Sequence, residues 1–228
     1  MSNFTNDAKV GEKVIFSGTE GIIVFRDAAN TIVKSLNMLE SHDRIALYSN
    51  AFPKFEPLYL SKTGRIEGLW IMGNNYKTSG YYGAYPHGYL PRIQSLFPDC
   101  KKIIHVCSGS LPVGDYTRVD VRPEVNPEIC CNAEEMSGLV LERFDIAYVD
   151  VPYSAEDAEH YGTVMLKRKK VLEECYKILK PGGWVIWLDQ VLPMFSKKKW
   201  FFGLAIGMVK STNHRVRGVF GFKKVEAI

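Results

Sequence analysis

The chain has 228 residues, 46% of them hydrophobic, and its 29 Lys and Arg against 25 Asp and Glu leave a net charge of +4. That is enough apolar material for one full α/β domain plus a small extra module; no apolar run approaches the ~18 residues that would span a bilayer, and the polar start Met1–Asp7 lacks the basic-then-apolar layout of a secretory leader, so a cytoplasmic location is expected. Five cysteines, an odd number with no Cys-x-x-Cys pair, and five scattered histidines argue against a disulfide framework or a metal centre.

Short apolar runs at Val14–Phe16, Gly21–Phe25 and Thr31–Val33, separated by Ser17-Gly18 and Asp27–Asn30, predict a small antiparallel β module within residues 1–60. Residues 48–88 are rich in Tyr, Gly, Pro and Asn and read as irregular structure. A main domain is expected over 61–228, with residues 61–98 as its aromatic-rich lead-in. The aromatics include Tyr48, Tyr59, Trp70, Tyr76, Tyr81, Tyr82, Tyr85 and Tyr89, with Asn74, Asn75 and Lys77 among them. Such a mixture fits either of two roles, stacking on unpaired bases or pinning long loops to a core. Leu90, Ile93, Leu96 and Phe97 share one helical face, with Pro91 in the first turn and Pro98 beyond the last.

From Lys102 onward, strands alternate with helical patterns. Lys102–Cys107, Tyr116–Val121, Phe144–Asp150 and Trp184–Asp189 read as buried strands. Val164, Arg168, Val171, Leu172, Cys175, Ile178 and Leu179 carry helical spacing, ended by Pro181-Gly182-Gly183, and 202–209 with 216–222 look like a closing pair. The alternation predicts βαβ units and a doubly wound, mainly parallel α/β sheet. Only about nine residues separate the first two of these strands. A parallel crossover normally takes a dozen or more, so either the loop is shortened or the two strands do not pair.

Ligands of open α/β sheets bind outside the carboxyl ends of the strands, so the strand ends hold the candidate chemistry. Cys107-Ser108-Gly109-Ser110 ends the first strand, and small residues there admit a ligand close to backbone N–H groups; a plain tight turn is the alternative. Asp120, at the end of the second, offers a carboxylate to ribose hydroxyls. Asn132-Ala133-Glu134 offers an amide and a carboxylate to an adenine edge, or a cap to a short helix. Asp150-Val151-Pro152-Tyr153 ends the third strand. There Asp150 and the Val151 carbonyl are suited to accept from an exocyclic amine, Pro152 to hold that carbonyl, and Tyr153 to stack on a base taken out of its helix; strand-to-turn punctuation is the alternative. The basic runs Lys167-Arg168-Lys169-Lys170 and Lys197-Lys198-Lys199, followed by Lys210, Arg215, Arg217, Lys223 and Lys224, are either solvated faces or a phosphate-contacting surface.

In this order of elements residues 102–224 resemble the class I S-adenosylmethionine-dependent methyltransferases, in particular the amino-methylating enzymes of nucleic acids. Leu179–Trp184 resembles the usual helix-to-strand turn of that Rossmann-like fold. Asp150–Tyr153 resembles the Asp/Asn-Pro-Pro-Tyr catalytic motif, with Val151 at the first Pro, and 82–88 together with 189–193 look like phage-type DNA methylases. The resemblance implies S-adenosylmethionine as cofactor and Asp150, Pro152 and Tyr153 as catalytic. It puts Cys107, Ser108, Gly109 and Ser110 beneath the cofactor, Asp120 at its ribose and Asn132, Ala133 and Glu134 near its adenine. The expected partner is nucleic acid, DNA ahead of RNA. A methyltransferase of a small molecule or protein, and a non-catalytic nucleic-acid-binding descendant, remain open as alternatives.

Overall fold

The computed structural model describes residues 9–16, 19–26, 31–35, 39–73, 85–210 and 216–225. Strands β1 (Lys13–Phe16), β2 (Thr19–Arg26) and β3 (Thr31–Ser35) form a three-stranded antiparallel sheet, as the apolar runs predict. Its Ile22 and Val24 pack on Leu47 of helix α1 (Ser41–Ala51). Arg44, buried on the same helix, donates at 2.7 Å to the Leu96 carbonyl and to both carboxylate oxygens of Asp99. The helix therefore joins the small sheet to the main body.

The main body is one nine-stranded sheet. In chain order its elements are β4 (Leu58–Leu60), β5 (Ile66–Met72), α2 (Tyr89–Leu96), β6 (Ile103–Val106), β7 (Thr117–Asp120), β8 (Ile129–Cys130), β9 (Phe144–Asp150), α3 (Ala155–His160), α4 (Arg168–Ile178), β10 (Leu179–Asp189), β11 (Trp200–Lys210) and β12 (Val216–Lys224). The spatial order is β4-β5-β11-β12-β10-β9-β6-β7-β8. β12 runs antiparallel to β10 and β11, and β4 to β5, while the other pairs are parallel. This is the doubly wound, mainly parallel, Rossmann-like sheet expected from the alternation. From β6 the chain builds outward to β7 and β8, then returns past β6 to place β9 and β10 on its other side. The reversal between β6 and β9 is a topological switch point, where the loops part and leave a crevice at the carboxyl ends.

Each face of the sheet carries its own core. On one, Val171, Leu172, Cys175 and Ile178 of α4 pack on Ile104, Val106, Ala147, Val149, Val185 and Trp187. On the other, Tyr89, Ile93 and Leu96 of α2 pack on Ile146, Tyr148, Ile186, Leu188, Leu204 and Ile206. The alternation along each strand makes this division, and each such aliphatic side chain contributes roughly 1.5–3 kcal/mol of transfer free energy.

One alternative left open by the sequence is settled and two features depart from its reading. β6 and β7 do pair in parallel, yet residues 107–116 between them contain no helix, so the crossover is a bare loop. Residues 48–88 are not wholly irregular. β5 lies in the sheet beside β11, and its alternation is masked because Leu69 and Ile71 on the outer face are also apolar, 48% and 53% exposed. Tyr48, Trp70 and Tyr89 are buried core residues rather than stacking surface; Asn74, Asn75, Tyr76, Lys77, Tyr81 and Tyr82 lie outside the described residues. The Lys-Pro-Gly-Gly turn is a bulge at the start of β10, with Gly182 at φ 71°.

Candidate functional site

The first wall of the crevice is the turn after β6. Cys107 has φ 56° and Gly109 φ 55°. A left-handed non-glycine residue is uncommon and costs on the order of 1–2 kcal/mol, so the turn is held by its surroundings. Asp120, at the end of β7 and only 5% exposed, is the main restraint. Its Oδ2 accepts from the Gly109 N–H at 2.8 Å, and its Oδ1 accepts from the backbone N–H and Nε of Arg122 at 3.0 and 3.2 Å. The Ser108 N–H donates to the Val119 carbonyl at 3.0 Å. The Ser108 hydroxyl, in contrast, is buried with no hydrogen-bond partner. Such an orphaned group is costly unless something arrives to satisfy it.

Next along the rim, the Asn132 Oδ1 accepts from the Glu134 N–H at 2.9 Å, closing a local turn, and Ala133 is buried. The Glu134 carboxylate accepts from the Lys167 N–H at 2.7 Å and faces the Lys170 ammonium at 3.4 Å. It fastens the start of α4 to the rim.

The second wall is the end of β9. Val151 is core, 2% exposed, so the residue at the first Pro position of the motif anchors the loop by packing. Pro152 is buried beside it. Asp150 follows the face of Tyr148, and the Tyr153 hydroxyl donates to its Oδ1 at 2.6 Å. Burial pushes the Asp150 carboxyl up to about 7, against the opposing pull of the Tyr153 hydroxyl and the Arg217 charge. The hydroxyl of Tyr153 therefore does more than accompany a stacking ring.

Residues that pattern reading did not single out complete this wall. The Arg217 guanidinium lies 4.8 Å from the Tyr153 ring centroid, covering one of its faces. Arg168 donates to both carboxylate oxygens of Asp189, at 2.6 and 3.2 Å, and to the Tyr153 carbonyl at 3.1 Å. Asp189 is fully buried and also accepts from Trp187 Nε1 and the N–H groups of Gln190 and Val191. Arg168 thus ties the Asp-Val-Pro-Tyr loop to the end of β10. Its place in a basic run hid this; the one signal for it was the helical spacing that sets Arg168 in register with Val171 and Leu172. Beyond the loop, Ser154, Glu156, Asp157, Gln190 and Val216 line an open depression of about 360 Å³.

The crevice brings together Cys107, Ser108, Gly109 and Asp120 on one wall and Asp150, Pro152 and Tyr153 on the other. Lys197–Lys199 are elsewhere. The Lys199 ammonium lies over the Tyr176 ring at 5.3 Å, and its carbonyl accepts from Val225. Both neighbours flank the start of β10, the opposite end of the sheet.

No protein-family model matches the sequence, and no curated protein does. Solved structures that resemble the fold include TrmN from Thermus thermophilus, at 13% identity and TM-score 0.40 over 55% of this chain and 44% of that one. An rRNA methylase from Streptococcus thermophilus matches at 12% and 0.36, over 55% and 88%. The N-methyltransferase NodS from Bradyrhizobium japonicum WM9 matches at 14% and 0.36, over 80% and 94%. This chain spans less than half the length of TrmN.

Proposed function

We propose that the chain is a methyltransferase that takes S-adenosylmethionine and methylates an exocyclic amine of a nucleic-acid base, adenine in DNA before other acceptors. The observation that carries this is the facing of two walls at the switch point: a left-handed turn with an orphaned Ser108 hydroxyl, and a carboxyl–tyrosine pair. The first wall suits a nucleoside without phosphates. No helix follows the turn, so no helix N-terminus is there to hold a pyrophosphate, and the buried Asp120 carboxylate would repel one. Ser108, Gly109 and Asp120 would hold the ribose side, and Asn132 and Ala133 the adenine side. Asp120 would accept through the free lone pair of Oδ2.

When bound, the cofactor supplies an electrophilic methyl group. Everything else falls to the second wall. The face of Tyr153 opposite Arg217 would receive the target base and fix its plane. Ionised Asp150 accepts an N–H of the amine, which leaves the nitrogen lone pair free to attack. After transfer the same carboxylate takes up the proton from nitrogen at Oδ2, and a carboxyl poised near 7 suits that exchange at neutral pH. Positioning supplies most of the rate.

A methyltransferase of a small molecule is the second reading, favoured by the remoteness of Lys197–Lys199 and by the acidic Glu156 and Asp157 beside the loop. One experiment separates the two. The protein is incubated with methyl-labelled cofactor and, in parallel, single-stranded DNA, duplex DNA, RNA and free nucleosides, and the labelled base is identified after digestion. Label in N6-methyladenine from DNA is expected. Label confined to free nucleosides or small amines would refute the polymer, and none in any fraction would refute the activity.

A further inference from the structure

We propose that Arg217 and Lys210 form a phosphate seat beside Tyr153, so that the acceptor is recognised as a phosphate-bearing nucleotide unit and not as a free base. The inference rests on the acceptor-site reading of Asp150 and Tyr153 and names the substrate class for it. β11 and β12 are adjacent and antiparallel, with Val209 opposite Val216 and Met208 opposite Arg217. Alternation from Met208 to Lys210 and from Val219 to Arg217 puts both cations on the face that carries Tyr148 and Asp150. Both stand at the carboxyl end of β11, where Arg217 reaches the Tyr153 ring at the crevice.

The two cations are close enough to oppose each other. The Lys210 ammonium is pushed to lower proton affinity by burial and by the Arg217 charge. Among the described residues neither has a carboxylate within ion-pair distance, whereas Arg44, Arg65, Arg92, Arg118, Arg122 and Arg168 each do. The Arg217 Nε is buried and has no hydrogen-bond partner. Asp150 feels the Arg217 charge but is not within ion-pair distance of it, and its Oδ1 accepts from the Tyr153 hydroxyl. Two neighbouring cations without an ion-pair partner among the described residues, one with a buried idle donor, form a site suited to an anion.

Arg217 also fixes where that anion comes from. Its guanidinium is packed on the ring that would stack the base. A nucleotide stacked on that ring carries its phosphate one sugar away from the base, so the phosphate of the same unit is the nearest anion such a cation can meet. The depression lined by Glu156 and Asp157 is the wrong sign for this role.

The test uses the full chain and a fluorescein-labelled single-stranded DNA 12-mer containing adenine, with affinity measured by anisotropy from low to moderate salt. Arg217→Gln and Lys210→Gln should each weaken binding about tenfold and flatten the salt dependence by roughly one phosphate contact, about 0.7 in slope. Arg217→Lys should keep the slope, and binding of free adenosine should be unchanged by Lys210→Gln. S-adenosylhomocysteine affinity, measured by calorimetry on the same folded preparations, should be the same in all. Unchanged oligonucleotide affinity and slope in both Gln variants, with S-adenosylhomocysteine still bound, would overturn the seat. A parent that binds the 12-mer through these two cations but never takes up S-adenosylhomocysteine would overturn methyl transfer and leave the seat standing.

Discussion

Asp150→Asn tests whether the motif carboxyl is catalytic or a turn, and it does so through two opposed pH dependences. Burial raises the Asp150 carboxyl from 3.8 to about 7. Its stabilising contribution is therefore complete below about 4 and is lost as pH rises through 7, because the folded state must ionise a carboxyl it holds protonated. Three pKa units at ~1.4 kcal/mol each set an upper bound of about 4 kcal/mol. Partial opening of the side chain to the crevice reduces this to about 2 kcal/mol. Asparagine keeps an oxygen for the Tyr153 hydroxyl and does not titrate. Its stability relative to the parent should thus improve by about 2 kcal/mol between pH 4 and pH 8, roughly 4–8 °C in Tm for a chain of this size. Methyl transfer by the parent should move the other way and rise through pH 7, since only the carboxylate leaves both oxygens as acceptors. Asparagine should be slower and lose that inflection. Tyr153→Phe keeps the stacking ring but removes the hydrogen bond that holds the carboxyl down, so its rate inflection should sit above 7. Denaturant unfolding and initial rates at matched pH settle the matter. A stability difference that is flat from pH 4 to 8, with a parent rate profile lacking an inflection near 7, would show Asp150 to be solvated and ordinary.

Arg168→Met should destabilise the fold by about 3 kcal/mol, the low end for stranding a buried charge, because Asp189 keeps three other donors; it should also slow transfer roughly 100-fold by freeing the Tyr153 carbonyl. Urea unfolding together with kcat reads both, and loss of stability without loss of rate would confine Arg168 to the scaffold. Asp120→Ala should weaken S-adenosylhomocysteine binding in calorimetry by roughly 10–100-fold, from ~1.5–3 kcal/mol for a charged hydrogen bond, and should lower Tm because Gly109 loses its acceptor; unchanged affinity would remove Asp120 from the cofactor wall.

β6 and β9, which build the crevice, were legible because each is a short, mostly apolar run bounded by turn residues. Phe144–Asp150 coincides with the run read from sequence, and the pair Trp200–Lys210 and Val216–Lys224 extends the predicted closing strands by only a few residues. β8 was not, since two residues, Ile129 and Cys130, are too few to show a period. α1 was hidden for a different reason: its interior positions Asp43 and Arg44 are polar and are buried only because Lys34, Leu96 and Asp99 satisfy them across the fold. Pattern reading scores such residues as surface.

The same blindness governs the site. Asp120, Asp150 and Tyr153 stand at strand ends, where position alone nominates them. Arg168 and Arg217 belong to stretches dense in basic residues, and composition assigns such stretches a single role. The structure divides them by what each charge faces. Arg168 meets Asp189 and Tyr153 and becomes part of the framework; Lys199 lies on Tyr176 at the far end of the sheet. Arg217 lies on Tyr153 without an ion-pair partner among the described residues. A cation already paired within its own fold, as Arg168 is with Asp189, must break that pair before it can make another, and Arg217 at the crevice carries no such cost. On the proposed reading, nucleic-acid affinity should therefore follow the Arg217 and Lys210 charges at the crevice more closely than the +4 net charge.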